Sequence, residues 1–216
     1  MADYDFEMME HGGVFCDYEK ERVRCAKMAE HFRGGKWMEI ETDCGSHMTC
    51  SIENRPPKDQ YGVSLEKGVS SSPPDIECAT CAVEGTANGV MYIDASIPHP
   101  ELGLIREPVK LTIENGLVKN IEGGEEADIL KKILADLHDP NAYNVGEVGI
   151  GINSSGILNG RMLSDEGCGG TAHLGLGDNR GFGGVVACQM HLDCIFHKPT
   201  IHVDGKLVMD HGEIIF

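Results

Sequence analysis

His191 and Asp193 are separated by a single residue in the segment His-Leu-Asp. Residues two apart in a β-strand project from the same face, so an imidazole nitrogen and a carboxylate oxygen can bind one metal ion together. A strand that exposes both side chains to water is the alternative, because a His-x-Asp triplet is common by chance. The pair indicates a metal site only if further ligands lie close to it.

Two such ligands lie upstream in Gly-rich, apolar segments. His173 lies within Gly-Thr-Ala-His-Leu-Gly-Leu-Gly, whose glycines leave space for a metal or a ligand to approach. Glu147 lies between Gly146 and Val148, in the least polar strand-like segment of the chain. An isolated buried charge is costly, so this carboxylate must be paired, protonated or bound to a metal.

Imidazoles and carboxylates in this combination bind divalent transition metals. With bridging carboxylates, such a set suits a pair of metal ions that activate water for hydrolysis. Two histidines and one carboxylate can instead form a facial triad on iron, which leaves positions open for oxygen and substrate. The residues alone therefore favour a metal-dependent enzyme and leave both reactions open.

The segments that carry these residues have the patterns of strands. Asn115-Gly116 separates two alternating segments and predicts a type I′ hairpin, and Asp204-Gly205 predicts another hairpin turn. Strands are predicted at residues 37–42, 48–53, 109–113, 117–121, 145–152, 171–177 and within 200–209.

Helices are fewer than strands. Residues 18–32 place Val23, Ala26, Ala29 and Phe32 at intervals of three, which predicts a core-facing helix, and residues 127–137 predict a second one. Pro, Ser and Gly concentrate in residues 55–75, which predicts a long loop within one domain. The expected fold is a single α+β domain over residues 1–216, with a mostly antiparallel or mixed sheet, hairpins and two or three flanking helices.

Composition excludes several classes of function. Eighteen basic against 35 acidic residues give a formal charge of −17, which argues against binding to nucleic acids or anionic membranes. No apolar segment is long enough to span a membrane and no signal pattern precedes the first helix, so a cytoplasmic protein is expected. Nine cysteines without regular spacing predict reduced thiols, although Cys78-x-x-Cys81 could be half of a zinc site or a redox pair.

Taken together, these segments resemble the thermophilic-type metallo-aminopeptidase family typified by aminopeptidase T, over the C-terminal two thirds of the chain. The similar segments are residues 76–89, residues 145–149, residues 172–174 and the closing His-x-Asp. The resemblance implies five metal ligands, with Glu84 as the alternative to the first of them: Glu77, Glu147, His173, His191 and Asp193.

The same resemblance implies a hydrolase that activates water on one or two ions of zinc, cobalt or manganese. Its substrate would be a short peptide or another small molecule with an amide bond. Glu147 would be a bridging ligand or the general base, and Arg180 stands where the family has a catalytic Tyr, so that it could polarise an oxyanion or bind a substrate carboxylate. Family members are dimers, so a homo-oligomer is expected, and the family's N-terminal α/β domain is expected to be absent.

Two alternatives to the hydrolase remain. A neighbouring branch of the superfamily contains iron-dependent dioxygenases that open dihydroxypyridine rings and retain the closing His-x-Asp. A His stands there in place of Glu147, and the counterpart of His173 is not kept, so this chain resembles the hydrolases at both positions. The second alternative is a metal- or ligand-binding module without turnover.

Overall fold

The structure is a computed structural model that describes residues 4–215. Two β-sheets make up most of it. The α-helices of the described part are α1 (Phe6–Glu10), α2 (Tyr18–Phe32), α3 (Glu125–Asp136) and α4 (Met162–Asp165). The strands are β1 (Trp37–Glu41), β2 (His47–Ser51), β3 (Lys58–Gln60), β4 (Glu77–Thr80), β5 (Asn88–Ile93), β6 (Ser96–Ile97), β7 (Gly103–Leu104), β8 (Val109–Glu114), β9 (Leu117–Glu122), β10 (Val145–Gly151), β11 (Thr171–Gly177), β12 (His191–His197), β13 (Thr200–Val203), β14 (Lys206–Asp210) and β15 (Glu213–Ile214).

The strands form one sheet of eight and one of seven. The first has the order β15-β14-β13-β1-β2-β5-β8-β9, and the second has the order β3-β4-β10-β11-β12-β6-β7. Neighbouring strands are antiparallel throughout both sheets. Buried side chains from both sheets belong to one hydrophobic core. The predicted α+β class, with mostly antiparallel strands and hairpins, is confirmed.

The hairpin between β8 and β9 has the predicted turn. Asn115 and Gly116 have φ angles of 51° and 77°, the positive values that a type I′ turn requires at both positions. Gly116 is also packed closely, because a Cβ atom added to it would lie 2.6 Å from the backbone nitrogen of Gly85. The turn therefore needs glycine for two reasons, its backbone angle and its neighbour.

Helix α2 has the predicted bounds and buries Ala29 and Phe32 as predicted, whereas Val23 and Ala26 are exposed. The carboxylate of Asp17 caps its N-terminus by accepting a hydrogen bond from the backbone N–H of Lys20. The core face includes Cys25, Met28 and Phe32. These residues are three and four positions apart, the spacing of a stripe along one side of a helix. Val23 is 46% exposed, so the prediction that it faces the core is wrong.

The middle strands of the second sheet have both faces covered. On β11, Ala172, Leu174 and Leu176 belong to the hydrophobic core. His173 and the glycines alternate with them and project from the opposite face, as the period of two requires. The side chains of this opposite face are nevertheless buried. Polar groups on that face are therefore removed from water as well.

Three further expectations from the sequence concern membrane helices, the cysteines and the long loop. Among the described residues, no helix combines the length and the hydropathy needed to cross a bilayer. All nine cysteines are free, and seven of them are buried. The predicted loop at residues 55–75 contains one short strand, β3.

The packing of Gly116 predicts an effect on stability. We expect Gly116→Ala to lower the free energy of unfolding by about 2–4 kcal/mol, because the added methyl group meets both the positive φ and the Gly85 backbone. Gly205→Ala is the matched control, since Gly205 has the same φ of 77° and no atom within 4 Å of an added Cβ. That control should lose only about 1 kcal/mol. Urea unfolding measures both, and equal losses would exclude the contribution of the Gly85 contact.

Burial of the thiols predicts their reactivity. Burial raises the pKa of Cys81 to about 11 and that of Cys50 to about 12, so both are protonated and shielded. Cys44 is exposed and Cys188 is partly so. We expect a thiol reagent to modify Cys44 rapidly in the folded protein and all nine cysteines in urea. Rapid modification of Cys78 or Cys81 in the folded protein would contradict this burial.

Candidate metal centre

Four neighbouring strands of the second sheet bring five potential metal ligands to one face. Strands β4, β10, β11 and β12 are adjacent in the sheet. Because residues two apart share a face, β12 contributes both its His and its Asp, as the spacing predicted. The five residues are Glu77 on β4, Glu147 on β10, His173 on β11, and His191 and Asp193 on β12.

Two glycines provide the space for the imidazole rings. His173 pairs in register with Gly149 on β10, and Gly175 on β11 pairs with Asp193 on β12. A Cβ atom at Gly149 would lie 2.1 Å from Nε2 of His173, and one at Gly175 would lie 2.5 Å from Cε1 of His191. Both rings therefore lie over positions that only glycine can occupy.

The five side chains form two groups that share Glu147. Oε2 of Glu147 lies 2.6 Å from Nε2 of His191, which is 3.2 Å from Oδ1 of Asp193. Oε1 of Glu147 lies 3.6 Å from Nε2 of His173, which is 3.3 Å from Oε2 of Glu77. Within each group, one ligand atom from every residue lies within 4.8 Å of the others. Glu147 thus faces a different imidazole with each oxygen.

The donor atoms of this cluster fit a metal better than they fit each other. Several of them lie at ion-pair distance but have no hydrogen-bond partner in the described structure. They are Glu77 Oε2, Glu147 Oε1, His191 Nε2 and Asp193 Oδ1. Buried polar atoms are normally satisfied, so atoms that face each other unpaired indicate that a cation belongs between them. Each group offers one imidazole and two carboxylates, which is a donor set for a divalent transition metal.

The orientation of His191 is fixed from behind. Its Nδ1 donates a hydrogen bond of 2.7 Å to the backbone carbonyl of Asp178, which leaves Nε2 directed at the cluster. Such a second hydrogen bond is typical of metal-binding histidines. Burial opposes a charge on His191, but Asp193 and Glu147 outweigh it and raise the pKa of the ring to about 11. The neighbouring carboxylates thus attract positive charge strongly.

Two more carboxyl groups lie behind the cluster, and sequence reasoning missed both. Asp75 is fully buried, and neither of its oxygens has a hydrogen-bond partner in the described structure. Burial raises the pKa of Asp75 and of Glu166 well above the ordinary range. Asp75 stands two residues before Glu77, a spacing that could have revealed it. Glu166 follows α4 and has no comparable signal.

Other residues singled out from the sequence lie elsewhere. Arg180 forms an ion pair of 2.6 Å with Asp178, and its side chain is 61% exposed. Its predicted catalytic role stays a prediction, without a contact to the cluster to support it. Glu84, the alternative to Glu77, pairs with Arg55 and accepts a hydrogen bond of 2.9 Å from Asn179. Cys78 and Cys81 belong to neither group of candidate ligands.

The fold and the cluster together define a protein of two antiparallel β-sheets with two groups of candidate metal ligands that share Glu147. Comparison with known proteins identifies the family. Residues 14–216 match the model of the family described as NicX, 2,5-dihydroxypyridine 5,6-dioxygenase, and the chain belongs to this family.

Individual relatives agree with this placement. The chain is 25% identical over 207 residues to the 2,5-dihydroxypyridine 5,6-dioxygenase of Pseudomonas putida KT2440, a match that covers 91% of this chain and 59% of the relative. A solved structure of 2,5-dihydroxypyridine dioxygenase from the same organism has a TM-score of 0.83 at 24% identity, covering 94% of this chain and 61% of that one. The chain therefore spans about three fifths of the length of these relatives.

The resemblance to aminopeptidase T holds for the fold. Wild-type AmpT from Thermus thermophilus has a TM-score of 0.72 at 17% identity, covering 92% of this chain and 55% of that one. The prediction of an aminopeptidase-like hydrolase or metalloprotease is wrong, because the family match and the curated relative are ring-cleaving dioxygenases. The cause of the error is chemical. Imidazole and carboxylate donors bind zinc, cobalt, manganese and iron alike, so ligand types do not determine the reaction.

The glycine beside His173 provides a test of the cluster. We expect Gly149→Ala to displace the imidazole and to weaken metal binding by about tenfold or more. Gly181→Ala is the control, because an added Cβ there meets no atom within 4 Å. Elemental mass spectrometry after dialysis measures retained metal, and circular dichroism shows whether the fold persists. Unchanged metal retention in Gly149→Ala would remove His173 from the ligand set.

Proposed function

We propose that the chain is a ring-cleaving dioxygenase that uses iron and acts on 2,5-dihydroxypyridine or a closely similar hydroxylated heteroaromatic ring. The observation that carries this proposal is the family match over residues 14–216, which contains the whole candidate metal centre. The activity printed for the curated relative supports it. The sequence predicted a small-molecule substrate with an amide bond. The proposed substrate is also a small molecule, but it is an aromatic ring.

The outer group is the proposed position of the reactive iron. Its ligands are Glu147, His191 and Asp193. His191 is the ligand that reaches solvent, with 26% of its side chain exposed, whereas Glu147 and Asp193 are each 2% exposed. Oxygen and substrate must arrive from solvent, so the outer group is the accessible one. Iron, when bound, supplies the one-electron chemistry that lets dioxygen react with an aromatic ring.

The surrounding residues would keep this position in one geometry. The Asp178 carbonyl holds the imidazole of His191, so that Nε2 cannot turn away from the cluster. Glu147 is held from its other side by the inner imidazole of His173. Leu174 and Cys194 belong to the hydrophobic core on the opposite face of the sheet. Among the described ligands of the outer group, His191 is the most exposed, so water can reach the centre from its side.

The inner group has a supporting role in this proposal. Glu77 and His173 would complete a second cation position and orient Glu147 from the buried side. Their side chains are 4% and 1% exposed, which leaves no room for a substrate ring. The cytoplasmic location and the homo-oligomeric state expected from the sequence stay predictions.

The proposal predicts oxygen-dependent loss of the ring. Protein loaded with ferrous iron should consume one dioxygen for each 2,5-dihydroxypyridine that disappears. His191→Ala should lower both rates by about 100-fold, because it removes an iron ligand. An oxygen electrode and the ultraviolet absorbance of the ring measure the two rates in parallel.

His197→Ala is the matched control, since this exposed histidine ends the same strand and lies outside the cluster. It should keep full activity and full iron content. Turnover that needs no oxygen, or that zinc supports as well as iron, would overturn the proposal. Iron binding without ring loss or oxygen uptake would leave a binding module as the correct description.

A further inference from the structure

The open side of the metal centre carries an aromatic ring and a cation that the proposed chemistry has not used. Phe182, in the 3-10 turn Arg180–Phe182, stacks on the imidazole of His191 with ring centroids 5.3 Å apart and planes 22° apart. The ammonium of Lys58, on β3, lies 4.3 Å from the centroid of the Phe182 ring. Phe182 therefore borders the partly exposed ligand His191, and Lys58 lies on the ring of Phe182.

The position of Phe182 is fixed by buried polar contacts. Asn179 is fully buried, and its backbone carbonyl accepts a hydrogen bond of 3.0 Å from the N–H of Phe182. Its side-chain amide donates to Glu84, which also accepts a hydrogen bond of 2.9 Å from the N–H of Val185. Arg55 donates to the carbonyl of Gly183, the residue after Phe182. The ring is thus held over His191 by the framework of its loop.

Lys58 is an exposed cation on β3. Its ammonium makes a cation–π contact with the Phe182 ring. No carboxylate of the described residues forms an ion pair with Lys58, so its charge is available to an anionic ligand.

We propose that Lys58 and Phe182 form the substrate-recognition side of the metal centre, where Phe182 contacts an aromatic ring and Lys58 pairs with the negative charge of that ring. This inference rests on the proposed function and specifies its substrate class as an aromatic ring with an acidic hydroxyl or carboxyl group. A cation at this position would add to the attraction that the bound metal exerts on an anionic ring. Phe182 supplies an apolar ring beside His191, and it holds the ammonium by a cation–π contact.

The experiment measures binding without turnover. The probe is 4-nitrocatechol, an acidic hydroxylated ring whose absorbance changes when it is bound as an anion, and the protein is the full chain loaded with zinc. We expect Lys58→Met to raise the dissociation constant about tenfold and Lys58→Arg to raise it less than about threefold, since arginine keeps the charge. Phe182→Leu should weaken binding about threefold or more, because it removes the ring.

Two variants serve as matched controls. Lys119→Met removes the same charge from an exposed position on β9 of the other sheet, and Phe15→Leu changes a phenylalanine that is 67% exposed. Both should bind the probe like the unmodified protein, and all variants should retain equal zinc. Unchanged binding in Lys58→Met, or an equal loss in Lys119→Met, would overturn the assignment of Lys58. Unchanged binding in Phe182→Leu would overturn that of Phe182.

The outcome is independent of oxygen chemistry, because zinc does not exchange electrons with dioxygen. If the iron form fails to cleave rings while Lys58→Met still weakens probe binding, the proposed function is wrong and the recognition site stands. If the iron form cleaves the ring and Lys58→Met binds normally, the function stands and this inference fails.

Discussion

The structure depends on the burial of carboxylates that have too few positive partners. Three acidic side chains, Glu77, Glu147 and Asp193, lie with two imidazoles on one face of the second sheet, and Asp75 and Glu166 add two more carboxyl groups from outside its strands. In a poorly solvated site, such an excess of negative charge is tolerated only if protons or cations neutralise it. The four adjacent strands that hold the candidate ligands are thus the scaffold of the candidate metal centre.

The opposite face of the same strands provides the rigidity that such a cluster needs. Leucine, isoleucine and valine side chains from β10 and β11 pack into a core shared with the first sheet. Displacement of a ligand by even 1 Å would require these packed strands to move, and close-packed interiors resist that. Glycine at positions 149 and 175 completes the arrangement, because the imidazoles need the space that a Cβ atom would fill.

Local chemistry made much of the fold predictable. Asn115-Gly116 predicts its turn because both residues accept a positive φ, and the bounds of α2 follow from Asp17 and a short apolar stripe. The buried face of α2 was harder to predict, because Cys25 and Met28 are part of it while Val23 is exposed to solvent. The spacing of apolar residues predicts that a helix forms more reliably than it predicts which face of that helix packs against the core.

Four candidate ligands were predictable because each is a charged or imidazole side chain in a predicted strand or strand-like segment, whereas Glu77 came only from the family resemblance. The reaction was not, since these donors suit hydrolysis and oxygen chemistry equally. Lys58 and Phe182 were missed for a different reason. They come from β3 and from a turn far away in the chain, and only the folded structure places them beside His191.

The five candidate ligands lie far apart in the sequence. From Glu77 to Asp193 they cover more than half of the chain, and each of the four strands supplies at least one. A bound cation therefore joins segments whose pairing is non-local and entropically slow to form. Its free energy of binding would stabilise the pairing of the strands that supply its ligands. Opening of β10 would disturb both groups at once, because Glu147 belongs to each of them.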